Sequence, residues 1–358
     1  MVIQIYTISS VVFFFFATIF YLSLHFSEEP NIIALVVCCL LGVEAKAQVQ
    51  FRLLDSHTRQ PIEFASVFNA RGTLLTTSDS EGYIRFKDSV PKFSVSHVAY
   101  LNKDVDTDTL KDKVLYMDTR EQALNEVLVA TKRPEYVVFE AYFRAPQFYN
   151  GQLEYYYDGV AYYFVKLKNG EVDHRTLAAR YLADDSIKKE ECRNGSLLSY
   201  APPFPVPDFY GVGKNKEAMN PAFWRTDTLA AKVLFSFDHL YPDTVKSLSL
   251  GKYKQQLKSS HSSEVYALRP DGITYTDMVS SRWSRQMTVT IKDVRKIYDQ
   301  WEEVYITKAS FADKQDVKKF KNEKMGIVDV DQFIEQSAIP PISNSIRAKL
   351  PTMTATKR

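Results

Sequence analysis

The sequence predicts a mainly β protein of the α+β kind: a β-sandwich, then an antiparallel-sheet domain with a few peripheral helices. Three observations lead there. Short alternating apolar runs separated by turn residues fill the first part of the chain after residue 48. Longer aromatic-rich runs with strand alternation begin near Tyr136. Helical spacing is confined to two short polar segments near the C-terminus.

Two apolar stretches precede the sandwich. One runs from about Val2 to Leu24 and the other from Ile32 to Val43, with Ser27-Glu-Glu-Pro-Asn31 between them. The second has the length of a signal-peptide core and is followed by Ala45-Lys-Ala47, a small-x-small cleavage pattern ahead of Gln48. Residues 1–47 are therefore read as a cleaved leader, which makes the protein exported, in the periplasm or associated with an outer membrane. The first stretch is long enough to span a bilayer, and no Lys or Arg precedes Lys46. Two further readings stay open: a start upstream of the natural one, or an uncleaved transmembrane anchor. Cys38 and Cys39 sit inside the apolar run and are followed by more apolar residues, which disfavours lipidation.

About 310 residues remain after the leader, a length suited to about two domains. The chain's net charge is +2 with 45 basic and 43 acidic residues, so no global field favours nucleic acid. Of three cysteines only Cys192 survives cleavage, and one thiol makes no internal disulfide. The fold must rest on apolar cores.

In the sandwich, residues 48–129, Val49, Phe51 and Leu53 alternate with Gln50 and Arg52 as a half-buried strand. Asp55-Ser-His-Thr-Arg-Gln-Pro61 is a turn whose side chains bond their own backbone. Further strands are expected at Phe64–Asn69, Leu74–Ser78, Tyr83–Lys87, Lys92–His97 and Val114–Met117.

These residues carry a resemblance. The run Gln50-Phe-Arg-Leu-Leu-Asp-Ser-His-Thr-Arg-Gln-Pro-Ile-Glu-Phe-Ala-Ser-Val-Phe68 resembles the opening of the carboxypeptidase-like regulatory domain. Thr76-Thr-Ser-Asp-Ser-Glu-Gly-Tyr-Ile-Arg-Phe86 resembles that family's Thr-Asp-x-x-Gly-x-Phe hairpin. Val95-Ser-His-Val-Ala-Tyr100 and Leu124-Asn-Glu-Val-Leu-Val129 match its later segments, with Arg52 and Ala99 where glycine is usual. The resemblance covers about a quarter of the mature chain. It implies a seven-stranded, transthyretin-like sandwich without an active site, common on Gram-negative envelope proteins and often placed ahead of outer-membrane transporters. About 230 residues follow Val129, too few for a transporter's 22-stranded barrel at roughly 10 residues per strand plus loops.

Residues 130–135 read as a linker and 136–337 as the antiparallel-sheet domain. Tyr136–Arg144 places Val137, Phe139, Ala141 and Phe143 on one face. Leu153–Tyr157 and Val160–Leu167 read as a hairpin closed by Asp158-Gly159. Lys168-Asn-Gly170 and Pro270-Asp-Gly272 are further turns, and Ala201-Pro-Pro-Phe-Pro-Val-Pro207 an extended loop. Strands are expected at Thr176–Leu182, Ala230–Asp238, Val265–Leu268, Thr274–Val279, Met287–Ile291 and Trp301–Lys308, and helices at Phe311–Lys324 and Asp329–Gln336. This part is similar in style to uncharacterised envelope proteins that carry the same regulatory domain. Residues 338–358 read as a basic, frayed tail.

The search for chemistry returns exclusions. His57, His97, His174, His239 and His261 are isolated, with no His-Glu-x-x-His. No Gly-x-Ser-x-Gly elbow occurs. Gly211-Val-Gly213-Lys214 lacks the other elements of a phosphate loop and reads as a surface turn. Cys192 reads as an inert thiol, and Asp184-Asp185 and Glu190-Glu191 as solvated acids. No catalytic residue, metal ligand or cofactor is assigned. The aromatic runs are the one unusual feature: Tyr155, Tyr157, Tyr162 and Phe164 are candidate ligand contacts, with core packing the favoured reading.

The leading expectation is a non-catalytic envelope protein whose sandwich docks or stabilises a binding or structural domain. Its partners would be other envelope proteins or a carbohydrate, peptide or apolar ligand. Nucleic acid is not expected, and membrane contact would come only from an uncleaved N-terminal segment. Two alternatives discriminate by geometry. An aromatic cavity without carboxylates or His would point to an apolar-ligand carrier, and convergent polar side chains in a cleft to an enzyme with a dispersed site.

Overall fold

Seven short strands build the N-terminal part into two sheets. The computed structural model describes residues 49–355 apart from 111, 121–126, 130–133, 194–201, 214–219, 229, 240–246, 251–252, 292 and 324–327. The leader expectation lies outside these residues. In one sheet β1 (Val49–Asp55) is flanked by β4 (Tyr83–Phe86) and, in parallel, by β7 (Val114–Met117). The other has the order β3-β2-β5-β6, formed by Leu74–Thr77, Ser66–Asn69, Lys92–Ser96 and Lys103–Asp106. Alternation puts Phe51 and Leu53 of β1 inside, against Val67, Ile84, Val95 and Leu115. The rings of Phe51, Phe86 and Phe93 pack with centroids 5.1–6.1 Å apart. β6 has no counterpart among the expected strands. It reads Lys-Asp-Val-Asp and buries only Val105, the charged composition of an edge strand.

The turns follow their sequence. Asp55 accepts from the amides of His57 and Thr58, each at 2.8 Å. Asp79 accepts from Glu81 and Tyr83 at 3.0 and 2.8 Å.

The remainder is one eleven-stranded sheet. Its main order is β12 (Trp224–Asp227), β13 (Lys232–Asp238), β15 (Tyr253–Ala267), β16 (Met278–Ile291), β17 (Val294–Ala312), β9 (Tyr136–Tyr149), β10 (Gln152–Lys166), β11 (Val172–Ala183), β18 (Thr354–Ala355). β14 (Ser247–Leu250) adds to β15, and β8 (Val127–Val129) pairs in parallel with β17. The last strand of the sandwich segment as read from the sequence thus belongs to the large sheet.

The Asp158-Gly159 hairpin is corrected. β10 runs unbroken through both residues, and the turn lies at Asn150-Gly151, where both residues have positive φ (48° and 81°). Asp158 is fully buried, and its carboxylate takes Arg180 Nε and Nη2 at 2.7 and 2.9 Å and the Tyr142 hydroxyl at 2.8 Å. That pairing lets an aspartate sit inside a strand. Gly159 serves a close approach: a Cβ there would lie 2.2 Å from the Ala178 carbonyl oxygen.

The sheet has two covered faces. On one, Tyr142, Val265, Val279 and Tyr305 share a single apolar cluster with the sandwich residues Phe51, Leu53 and Val95. On the other, Val137, Phe139, Ala141 and Phe143 line up as expected and pack with Tyr155, Tyr157, Ala161 and Tyr163. Val49–Arg358 accordingly clusters as one compact unit.

Among the described residues four short α-helices lie at the periphery: α1 (Asp185–Arg193), α2 (Lys314–Asn322), α3 (Val330–Gln336) and α4 (Asn344–Lys349). Asp313 caps α2 through the amides of Gln315 and Asp316, and Asp329 caps α3 in the same way. α4 and β18 fall where a frayed tail was expected. Ile346 and Met353 are buried against Phe68, Phe148 and Trp301, and Lys349 pairs with Asp184 at 2.7 Å. The apolar residues spaced between the basic ones anchor this end. Among the described residues no helix is long and apolar enough to cross a membrane.

Candidate functional site: a polar cleft beside a proline-rich strap

Residues 202–213 run across the sheet face opposite the sandwich. The prolines keep this strap extended and without strand pairing. Its Phe204 stacks on His174 at 3.8 Å and meets Phe143 at 4.8 Å. Phe209 stacks on Phe139 at 5.5 Å. The Tyr163 hydroxyl donates to the Pro205 carbonyl at 2.8 Å. The strap's end is held by Glu264 of β15, whose carboxylate accepts from Tyr210 N at 2.8 Å, Gly211 N at 2.9 Å and the Tyr266 hydroxyl at 2.6 Å. Burial pushes the Glu264 carboxyl up to about 7 against those hydrogen bonds. Gly211 therefore faces an acid, the opposite of a phosphate loop, and its Cα lies close against the Tyr266 ring.

Beside the strap the same sheet face becomes polar. Antiparallel register sets Ser260 opposite Arg285, Ser262 opposite Trp283, Trp283 opposite Glu302, and Arg285 opposite Gln300. Ser260, Trp283 and Arg285 form with the strap a cleft of about 470 Å³, lined also by Asp208, Tyr210, His239 and Gln255. Trp283 Nε1 donates to Ser260 Oγ at 3.1 Å, and the Arg285 guanidinium lies 4.9 Å over the Trp283 ring. Arg285 Nε donates to Gln300 Oε1 at 2.6 Å. Gln300 donates in turn to Gln147, and Gln147 Nε2 to Glu154 Oε2 at 2.8 Å. A buried polar row thus crosses four strands from the cleft inward. His239, which lines the cleft, has Nε2 3.3 Å from Oγ of the buried Ser262.

The four candidate aromatics lie elsewhere. Tyr155 and Tyr157 are buried in the aromatic face, stacked with Tyr181 at 5.5 Å and edge-on to Phe143 at 5.1 Å. Tyr162 and Phe164 face the other way, under α2, where Phe320 meets Tyr162 at 5.2 Å. All four are core residues and none lines the cleft. Asp184 caps α1 through the amides of Ser186 and Ile187. Although burial raises its carboxyl, Lys349 and those hydrogen bonds hold it at about 2. Asp185 accepts from Thr354. Both acids fasten the C-terminal segment. Cys192 falls within α1.

The cleft residues escaped the sequence reading for a physical reason. Tyr253-Lys-Gln-Gln-Leu-Lys-Ser-Ser-His-Ser-Ser-Glu264 of β15 carries polar side chains on both faces, so alternation of apolar residues, the usual strand signal, is missing. The one available cue was Trp283 between two arginines, Arg282 and Arg285, in a serine-rich run.

Among His/Cys/Asp/Glu residues, Asp55, His57 and Asp227 bring ligand atoms within 4.8 Å of one another. The chain matches no protein-family model and no curated protein.

Proposed function

We propose that this is a non-catalytic protein of the cell envelope that binds a polar ligand, a carbohydrate or a peptide, in the cleft beside the strap. The observation that carries the reading is the convergence of Trp283, Tyr210, Arg285, Asp208 and Gln255 on one space. Aromatic planes with a few placed polar groups suit ligands that present both C–H faces and hydrogen-bonding edges. The sandwich acts as a fixed support, since it shares its core with the sheet's opposite face. Envelope placement rests on the leader read from residues 1–47. An apolar-ligand carrier is the weaker reading, because Phe204 and Phe209 of the strap already lie on the aromatic face.

The test is calorimetric titration of the purified protein with panels of neutral and acidic oligosaccharides and short peptides. One class binds, and Trp283→Ala weakens that binding at least tenfold while leaving the melting temperature near that of the parent. If no panel member binds, or if Trp283→Ala binds as the parent does, the cleft is not the site.

A second reading, an enzyme with a dispersed site, draws on the contact between His239 of the cleft and the buried Ser262. A fluorophosphonate probe that labels Ser262, and fails to label it in His239→Ala, would favour this reading over the first.

A further inference from the structure

We propose that Asp55, His57 and Asp227 form a site for a divalent first-row transition-metal ion that ties the sandwich to the large sheet. The three residues come from two distant parts of the fold. Asp55 ends β1, His57 lies in the turn that follows, and Asp227 ends β12 at one edge of the sheet. One ligand atom from each lies within 4.8 Å of the other two.

The carboxylates are prepared in different ways. Asp55 is 2% exposed and held in one orientation by the amides of His57 and Thr58 and by the Tyr100 hydroxyl, which donates to Oδ2 at 2.9 Å. Outer contacts of this kind fix a ligating carboxylate. In Asp227, Oδ1 accepts from the Ala230 amide at 2.9 Å. Its Oδ2 is buried and takes no hydrogen bond from any protein group. Two carboxylates this close repel each other, and the unpartnered oxygen of Asp227 is open to a cation. The adjoining cavity, about 30 Å³, is bordered by Asp55, Thr58, Tyr100 and Asp227. Two basic side chains border it too. Arg225 donates to the Pro61 carbonyl and pairs with Glu63 at 3.2 Å, and the Lys232 ammonium donates to the Arg120 carbonyl.

The donor set selects the ion. One imidazole nitrogen with two carboxylate oxygens suits Zn²⁺ or Mn²⁺, at ligand distances of about 2.0–2.2 Å, better than an all-oxygen ion such as Ca²⁺. His57 is exposed, with Nδ1 3.5 Å from Ser56 Oγ, so the site opens to solvent and its remaining positions would be taken by water.

The experiment uses the full mature chain, without an affinity tag, stripped by chelator and titrated separately with Zn²⁺, Mn²⁺, Ca²⁺ and Mg²⁺. Calorimetry is expected to give one site for Zn²⁺ or Mn²⁺, and that ion to raise Tm by several degrees. Asp227→Asn and His57→Ala each weaken binding tenfold or more and abolish the Tm increase, while the metal-free proteins keep the parent circular dichroism spectrum. Asn keeps the oxygen that accepts from Ala230, and His57 is on the surface, so both variants test binding and not folding. The proposal is overturned if no ion binds at one-to-one stoichiometry, or if both variants bind as the parent does. The first result would mean that Arg225 and Lys232 balance the pair, and the second that the ion binds elsewhere.

Discussion

Arg282 Nη2 donates to Ser66 Oγ at 2.6 Å, joining β16 of the large sheet to β2 of the sandwich. The same guanidinium lies 3.4 Å from Glu303, which also takes Arg144 Nε at 2.5 Å and the Tyr305 hydroxyl at 2.9 Å. All of these side chains are buried. Burial alone would raise the Glu303 carboxyl, but the two guanidinium groups hold it below its ordinary value. Glu303→Gln leaves two buried cations facing a neutral amide. We expect a loss of about 3–5 kcal/mol in urea denaturation. The transition should stay single, because one apolar cluster spans both parts.

Stability should rise with pH and level off near pH 7. Burial lowers His97 and His261 to about 3 from 6.5, so both stay neutral in the folded protein. Their contribution is complete above pH 6.5 and is lost as the pH falls toward 3, because the unfolded chain takes up the protons. Glu264 runs the other way. Its folded value of about 7 lies above the ordinary 4.5, so its contribution is complete below pH 4.5 and is lost as the pH rises through 7. Between pH 4.5 and 6.5 the two histidines outweigh the one acid, and acidification costs about 1.4 kcal/mol per pH unit net. Glu264→Gln should steepen the rise between pH 4.5 and 6.5 to about 2.7 kcal/mol per pH unit, the slope of the two histidines alone. Urea midpoints measured from pH 4.5 to 8 check the slope and the plateau.

Gly159→Ala should destabilise by about 1–3 kcal/mol through overpacking, since its Cβ would fall on the Ala178 carbonyl oxygen. Asn150→Gly, at the true turn, relieves a positive φ of 48° but gives up the bond from the Ile297 amide to Asn150 Oδ1 at 3.0 Å, so its change should stay within about 1 kcal/mol. Thermal melts of both variants decide whether residues 150–151 or 158–159 turn the chain.

Ile346→Ala should cost about 2–5 kcal/mol, the range for an emptied core position. Ile346 is 1% exposed, packed near Phe68, Phe148 and Trp301. A solvated tail would lose nothing, so a melt of this single variant separates the two descriptions of the C-terminus.

How much of this was legible depends on what each residue faces. Phe51 and Leu53 alternate with Gln50 and Arg52, and Val137 and Phe139 fall at strand spacing in an aromatic run, so their strands and faces were readable. Asp158-Gly159 carries a turn dipeptide, but its meaning changes once Arg180, 22 residues on, supplies a counter-charge that no local pattern announces. Ile346 and Met353 were hidden among basic residues because their packing partners lie in β2, β9 and β17. The cleft was illegible for the same reason: Ser260, Trp283, Gln300 and Gln147 lie on four strands, and only the pairing register makes them neighbours.

The place of β17 in the sheet bears on how the chain can fold. This strand lies between β16 and β9, and it also holds β8, so Tyr136–Tyr149 has no partner on that side until residues 294–312 have been made. The sandwich core is completed by Tyr305 from that same strand. A chain still on the ribosome therefore holds a sheet with its middle missing. Closing so long a loop is slow, and folding of the large sheet is confined to the finished polypeptide.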